Sequence, residues 1–351
     1  MIMIRKRYWT VSSCLFAMML SLMLASCEKE IEFNGEQSDP KLVINSLVEP
    51  GQPVKAAISK SYFFLDAANT TAPADLVASL YVNGSLVGEL TQGTDTIWDY
   101  WGMPDYRLVT RYFSDYVPEE GDVVKISATA NGFDEVEGST SPLPQIADCQ
   151  LEVEVGEWMG QYMQEYDWET EEYGDTLCYN IAGYLNLTFT LTDPNPGKTD
   201  FFRLIQGDNN VAREGLNTCW VNFGYDDPIF EAGITENDII DISDLDTRPV
   251  GVFSDMMFDG GSYRLKVKAQ FYCDIYDEYE FDPDYFRGVF LMEHLSKEYY
   301  QYLCTCDQGD LTLQIYSEPI QTFSNVEHGY GIVCGRADNK FLVPIPLEDP
   351  R

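Results

Sequence analysis

Alternation of apolar and polar residues is the feature that most constrains how this chain folds. It is clearest over residues 263–271, where Tyr, Leu, Val, Ala and Phe alternate with Arg, Lys, Lys and Gln, and it recurs over residues 185–191. Successive side chains of a β-strand point to opposite faces of the sheet, so each segment predicts a strand with one buried face. The second segment ends at Asp193-Pro194-Asn195-Pro196-Gly197, a cluster of residues that break regular structure. The pattern predicts a mainly β protein.

Turn signals divide this pattern into two parts. Short β-type segments at residues 41–47, 54–59, 76–82, 86–90 and 123–130 are separated by turns, and Asn83-Gly84 is a strong hairpin signal. Ser141-Pro142-Leu143-Pro144 cannot lie in a central strand and reads as a linker. We therefore expect an immunoglobulin-like β-sandwich over residues 40–144 and a larger β-rich domain over residues 145–351. One or two short helices are expected in the second domain, one of them capped by Ser296 and continuing to Leu303.

The N-terminal residues predict a membrane anchor. Arg5-Lys6-Arg7 precedes an apolar segment, residues 11–25, which leads into Leu24-Ala25-Ser26-Cys27. The segment is too short and too rich in serine to span a bilayer, which takes about 20 apolar residues. The order instead matches a bacterial lipoprotein signal, so residues 1–26 are predicted to be a signal peptide and Cys27 to be acylated by palmitate-type chains. The membrane is thus an expected partner through this lipid.

Residues 27–39 are predicted to form a tether behind the lipid. Glu28-Lys29-Glu30-Ile31-Glu32 resembles the export signal that sends Bacteroidetes lipoproteins to the exterior face of the outer membrane. This favours an outer-membrane location with the protein facing the cell exterior. A plain flexible tether is the alternative.

Net charge excludes one class of partner. The chain carries 58 acidic and 22 basic residues, a formal net charge of −36. Loss of the signal peptide removes three basic residues, leaving 19 against 58 and a formal charge of −39. Such a field repels phosphate backbones, so no nucleic-acid partner is expected. Acidic residues crowd segments 238–246 and 274–284, which suggests either calcium sites or solvated loops.

Seven cysteines follow Cys27 in the sequence, all beyond the linker. Export to an oxidising compartment favours disulfides, and pairing of Cys149 with Cys178 would close the base of the acidic, aromatic stretch between them. Cys304-Thr305-Cys306 with Cys334 is a weak sulfur-site signal, because the second close pair of a structural zinc site is missing. The identity of any metal site therefore stays open.

No catalytic arrangement is recognisable. The chain has only two histidines, no Gly-x-Ser-x-Gly motif and no phosphate-binding glycine loop, so neither enzymatic activity nor a cofactor is predicted. Binding has more support, from four aromatic residues among acids that could contact a ligand: Trp158, Tyr162, Tyr166 and Trp168. The alternative is ordinary core packing, since the first three also fit one face of a helix.

Several motifs together resemble the Bacteroidetes lipoprotein family named domain of unknown function 4249. They are Pro40-Lys41-Leu42-Val43-Ile44-Asn45, Phe253-Ser254-Asp255 with Phe258-Asp259-Gly260, Leu295-Ser296-Lys297-Glu298, Phe323-Ser324-Asn325-Val326 and Gly329-Tyr330-Gly331-Ile332. The resemblance implies an outer-membrane lipoprotein, often encoded beside a TonB-dependent transporter, which binds a ligand or partner for that transporter. It carries no catalytic residues. A structural or adhesive cell-surface protein without a small-molecule ligand is the alternative.

Overall fold

Three β-sheets make up most of the structure, as the sequence pattern predicts. The computed structural model describes residues 39–63, 69–99, 105–167, 172–207, 217–218, 220–232, 251–276, 286–306 and 322–345. The predicted signal peptide and all of the predicted tether except Asp39 lie outside these residues. One compact unit extends from Pro40 to Arg351, so the predicted division at residue 144 does not separate two independent domains.

Eighteen strands and two α-helices are described. The strands are β1 Leu42–Val48, β2 Lys55–Lys60, β3 Val77–Val82, β4 Ser85–Glu89, β5 Thr91–Asp99, β6 Asp105–Phe113, β7 Val124–Thr129, β8 Val136–Ser139, β9 Cys149–Asp167, β10 Glu172–Thr192, β11 Phe201–Gln206, β12 Asn217–Thr218, β13 Trp220–Gly224, β14 Val252–Ser254, β15 Ser262–Tyr276, β16 Phe286–Leu295, β17 Val326–Glu327 and β18 Tyr330–Pro344. The helices are α1 Ile229–Ala232 and α2 Lys297–Thr305, and a 3₁₀ turn covers Asp255–Met257.

A nine-stranded sheet connects the two halves of the chain. Its strands follow the order β14-β11-β16-β18-β1-β2-β6-β5, with β12 also paired to β16. The first part of β18 pairs in parallel with β1, from Tyr330 to Gly335, and the second part pairs antiparallel with β16, from Arg336 to Pro344. A strand from the C-terminal half therefore sits beside the first strand of the fold, so one sheet includes strands from both sides of residue 144.

Two hydrophobic cores lie against this shared sheet. The first core is enclosed by β1 and β2 on one side and by the five-stranded sheet β17-β8-β7-β3-β4 on the other. The second lies between β11, β16 and β18 and the four-stranded sheet β13-β15-β10-β9. Because β18 contributes Val333 to the first core and Val343 to the second, one strand stabilises both.

The local predictions are confirmed where the structure describes them. The alternating residues of β15 and β10 bury their apolar members, and Asn83 and Gly84 connect β3 to β4 with φ angles of 50° and 80°. Both turn residues have positive φ, as a two-residue hairpin loop prefers. The predicted helix is α2, and the Ser296 hydroxyl accepts a hydrogen bond from the Tyr299 N–H at its N-terminus.

The Asn325 and glycine motifs near the C-terminus join the sheets. Asn325 donates from Nδ2 to the carbonyls of Ser139 and Val333, both at 2.8 Å, and accepts from the Val333 N–H at 2.9 Å. Gly331 has φ +107°, and a Cβ there would collide with the Ile44 carbonyl of β1. Only glycine combines this backbone conformation with so close an approach, so the motif permits the parallel pairing of β18 with β1.

Replacing Gly331 by Ala is therefore expected to destabilise the protein by about 2–4 kcal/mol, because the new methyl group strains the backbone and separates two paired strands. Urea unfolding monitored by circular dichroism measures the change. Gly88→Ala is the matched control, since a Cβ on this β4 glycine meets nothing within 4 Å. Equal midpoints for the two variants would contradict the role given to Gly331.

Candidate functional site

A cleft of about 440 Å³ lies where three segments meet. These are the linker between β8 and β9 (141–145), the segment leading into β11 (195–201), and the end of β16 with the start of α2 (294–297). Ligand pockets typically enclose about 300–1,000 Å³. The cleft is therefore large enough to hold a small molecule.

The loop between β10 and β11, residues 193–200, forms one wall of the cleft. Two prolines and a glycine prevent it from continuing either strand. Asp193 Oδ1 accepts the Asn195 N–H at 2.8 Å, and Asn195 Nδ2 donates to both Asp200 carboxylate oxygens at 3.0 and 3.1 Å. Gln145 Nε2 of the linker donates to the Pro194 carbonyl at 3.1 Å. The loop is thus held from within and from the opposite wall.

His294 forms the buried floor of this region. Its Nδ1 lies 2.8 Å from the Gln145 carbonyl and its Nε2 lies 3.3 Å from Asp200 Oδ1, while the ring stacks on Phe202 with centroids 5.0 Å apart. Both ring nitrogens thus have partners within the protein. His294 joins the linker, the loop and β16, and its role is to position the walls.

Cationic side chains lie at the mouth of the cleft. Lys198 and Lys297 line it and are exposed, and Glu120 is an exposed acid on the opposite rim. Behind the rim the Ser141 hydroxyl donates to Glu298 Oε2 at 3.0 Å. Two lysines at one opening are a local exception in a chain with a net charge of −36. They favour a ligand that carries an anionic group.

The other side of the 193–200 loop lies close to the turn that follows β14. Three carboxylates meet there. Asp193, Asp255 and Asp259 each place one oxygen within 4.8 Å of the others. The pKa of Asp255 is raised to about 6: burial is the largest cause, the carboxylates of Asp200, Asp193 and Asp259 add to the rise, and a backbone hydrogen bond from Asp200 opposes it. Asp193 and Asp255 are buried, and Asp259 is exposed.

A second buried carboxylate, that of Glu293, has two arginines as partners. Glu293 is 0% exposed, accepts a hydrogen bond from Arg336 and lies 3.6 Å from Arg203 Nη1. Arg336 also pairs with Glu49 at 2.6 Å, and Arg203 donates to the Tyr299 hydroxyl at 3.1 Å. Burial raises the pKa of Glu293, while the two arginines oppose the rise. The network joins β11, β16 and β18 and is structural.

Removal of Arg336 would leave the buried Glu293 with the Arg203 guanidinium, 3.6 Å away, as its counter-charge. Arg336→Met is expected to lower the free energy of unfolding by about 3–5 kcal/mol near pH 8. In the variant, the pKa of Glu293 in the folded state would lie even higher than in wild type. The stability of the variant would therefore be retained at a pH below the pKa of a glutamate in the unfolded chain. It would be lost as the pH rises through the pKa of Glu293 in the folded state. The deficit relative to wild type is therefore expected to shrink towards pH 5, as measured by urea unfolding across this range.

Lys125→Met is the matched control, because Lys125 pairs with Glu137 at the surface. Its cost should stay within about 1 kcal/mol at every pH. A deficit of Arg336→Met that is the same at pH 5 and pH 8 would show that lost packing, and not the stranded carboxylate, explains the effect.

The aromatic residues predicted to contact a ligand lie on a different part of the fold from the cleft. Trp158 is a half-buried residue of β9 that packs against the second core. Tyr162 and Tyr166 belong to the same strand, so this stretch is not a helix; their side chains and all of Trp168 lie outside the described part of the structure. For Trp158, the core interpretation is the one that the packing supports.

The predicted disulfide between Cys149 and Cys178 is wrong. Cys149 is a free thiol. It lies opposite Leu191 in the β9–β10 ladder, whereas Cys178 lies opposite Met163, so the two cysteines are thirteen positions apart along β10. At about 3.3 Å per residue this is far beyond the reach of a disulfide.

Other cysteines differ in their state. Cys273 is disulfide-bonded, to a partner whose side chain lies outside the described residues. Burial raises the pKa of Cys149 and Cys334 to about 12 and of Cys304 to about 11, so these thiols are protonated at neutral pH. Among the described side chains, Cys304, Cys306 and Cys334 form no cluster that could hold a metal ion. Cys27 lies outside the described residues.

The sequence does not reveal the cleft, because the segments that form its walls are far apart along the chain. It marks the loop only as a break between strands, and Asp255 and Asp259 only as parts of family-like motifs. The available signal was the density of aspartate, asparagine and glycine in both segments, which is typical of tight turns with side chains turned back on the backbone.

A model of a protein family matches most of the chain. The model of the family described as "Domain of unknown function (DUF4249)" matches residues 28–340. No curated protein matches the chain. Within the described residues, no helix is both long and apolar enough to cross a membrane.

Proposed function

This chain belongs to the DUF4249 family, and from that premise we propose that it is an outer-membrane lipoprotein that binds a ligand or partner for a TonB-dependent transporter. Acylated Cys27 is the anchor in this proposal, with residues 28–39 as the tether. The folded part beginning at Pro40 then faces the cell exterior. The lipoprotein signal and the acidic residues behind Cys27 support this arrangement.

The single observation that carries the binding role is the cleft. It has the volume of a small-molecule site, and its walls come from a linker, a loop and a helix start that hydrogen bonds hold together. Pre-formed concave sites with a few placed polar groups are typical of ligand binding. The loops of a rigid β scaffold commonly supply such sites.

The chemistry at the mouth favours one class of ligand. Lys198 and Lys297 are exposed cations beside Asn195 and Ser141, which provide hydrogen-bonding groups. A small polar molecule with a carboxylate or phosphate would satisfy both lysines. No nucleic acid is proposed, because the overall negative charge opposes a long polyanion.

Membrane attachment is expected to depend on Cys27. In the native bacterium, Cys27→Ala should lose the incorporation of labelled palmitate and leave the membrane fraction. Cys14→Ala is the matched control, because Cys14 lies within the predicted signal peptide and is expected to be removed with it. Membrane attachment of Cys27→Ala equal to that of the control would contradict the anchor.

Purification of the wild-type protein from outer membranes in mild detergent is expected to recover a TonB-dependent transporter.

Thr199→Trp, which places a large ring on an exposed wall of the cleft, should reduce the amount of small-molecule ligand that mass spectrometry detects in the purified protein at least several-fold. Thr71→Trp, at an exposed position remote in sequence, should not change it. Recovery of neither transporter nor ligand would favour the structural or adhesive surface protein.

A further inference from the structure

The three carboxylates behind the cleft form no ion pair with any residue that the structure describes. Among the described residues, no lysine, arginine or histidine forms an ion pair with Asp193, Asp255 or Asp259; the ion pairs found there involve other acids. Asp193 is 6% exposed and Asp255 is 1% exposed. Like charges held this close in a desolvated place repel each other strongly unless a cation or proton compensates them.

Asp255 carries an unpartnered oxygen inside this arrangement. Its Oδ2 is buried and has no hydrogen-bond partner. Buried polar atoms are nearly always hydrogen-bonded or bound to an ion, because leaving one unpaired costs free energy. An oxygen of this same carboxylate lies within 4.8 Å of oxygens from both Asp193 and Asp259. The unpaired, nearly fully buried group therefore belongs to the cluster.

The backbone fixes the other two carboxylates without using up their oxygens. Asp193 accepts from the N–H groups of Asn195 and Gly260, at 2.8 and 2.5 Å, and Asp259 Oδ1 accepts from Gly197 at 2.7 Å. Each carboxylate oxygen has two lone pairs, so an oxygen that accepts one N–H can still bind a cation. These bonds orient the carboxylates in advance, which lowers the ordering cost of binding.

We propose that Asp193, Asp255 and Asp259 bind one calcium ion. The donors are all carboxylate oxygens, which suit a hard cation, and no thiol or imidazole belongs to the cluster. Ca²⁺ takes six to eight oxygen ligands in a flexible geometry, whereas Mg²⁺ demands a near-ideal octahedron and keeps several of its waters. A cluster of carboxylates supplied by two separate turns therefore suits the larger ion. Exposed Asp259 leaves room for water to complete six to eight ligands.

The ion would connect two segments that the chain separates by more than fifty residues. Asp193 begins the loop that forms one wall of the cleft, and Asp255 and Asp259 lie in and just after the 3₁₀ turn that follows β14. Binding would therefore stiffen the cleft wall from behind. The inference does not depend on the proposed transporter role, because calcium binding is measured directly on the purified protein.

The test is isothermal titration of the full-length protein, in detergent and stripped of divalent ions, with calcium chloride. One ion per chain is expected with a dissociation constant on the order of 10⁻⁴ M, as in extracellular calcium modules, and with weaker binding of magnesium. Saturating calcium should raise the melting temperature by about 3–6 °C. Asp255→Asn, which keeps the side-chain shape, should abolish this specific binding and the thermal shift.

Two further variants keep the proposal falsifiable. Asp259→Asn alters the exposed member of the cluster and keeps an oxygen that can accept the Gly197 N–H, so it should weaken binding at least tenfold even if Asp255→Asn fails to fold. Asp134→Asn, an exposed acid outside the cluster, is the charge-matched control and should bind as wild type does. Unchanged binding in Asp255→Asn and Asp259→Asn, or its loss only on Asp282→Asn and Asp284→Asn in the other acidic stretch, would overturn the assignment. So would the absence of any calcium binding at 10 mM, about one hundred times the expected constant.

Discussion

The passage of β18 from one partner to another is the constraint on which the rest of the structure depends. Up to Gly335 the strand pairs with β1, and from Arg336 it pairs with β16. At this crossing the Ser296 N–H donates to the Gly335 carbonyl, and the Ser296 hydroxyl accepts the Gly335 N–H. Ser296, which caps α2, is thus hydrogen-bonded to the residue at which β18 changes partner. Without this strand, each core would lose one of its walls.

The crossing also explains where the cleft lies. A Cβ on Gly335 would meet the side chain of Leu143 at 2.5 Å, so the linker packs directly over the crossing. The linker then binds His294 and the 193–200 loop through Gln145. The walls of the cleft are therefore built on the most constrained part of the sheet, while the loop on the far wall has its other side against the three carboxylates. The 193–200 loop therefore borders both the cleft and the carboxylate cluster.

How much of this could be predicted depends on the range of the interaction. Period-2 alternation, Asn83-Gly84 and the Ser296 cap are local signals, and each led to the right element. Strand pairing between Val43 and Tyr330 leaves no such signal, because alternation specifies which face is buried and not which strand lies beside it. Turn signals around residue 144 therefore do not reveal that one sheet joins the residues on both sides of it.

The site residues follow the same rule. The spacing of Trp158, Tyr162 and Tyr166 fits one face of a helix and also every fourth position of a strand, so pattern alone could not decide between them. The pairing of Cys149 with Cys178 assumed that both ends of the stretch between them meet. In the hairpin of β9 and β10 these residues instead occupy distant rungs of one ladder. The carboxylate cluster could not be predicted, because it forms only when two turns that are distant in sequence approach each other.

The pairing of β1 with β18 sets an order on how the chain can fold. Val43 and Tyr330 are 287 positions apart, and the first core needs Val326 and Val333 as well as β1. Synthesis produces β1 and its neighbour β2 early and must then continue almost to residue 335 before β1 finds its second neighbour, β18. Contacts between residues so distant in sequence are slow to form, and an unpaired strand edge stays open to other chains until they do. The early part of this protein therefore has to be protected until its late part arrives, and a chain that stops short of β18 is a candidate for degradation instead of a smaller functional product.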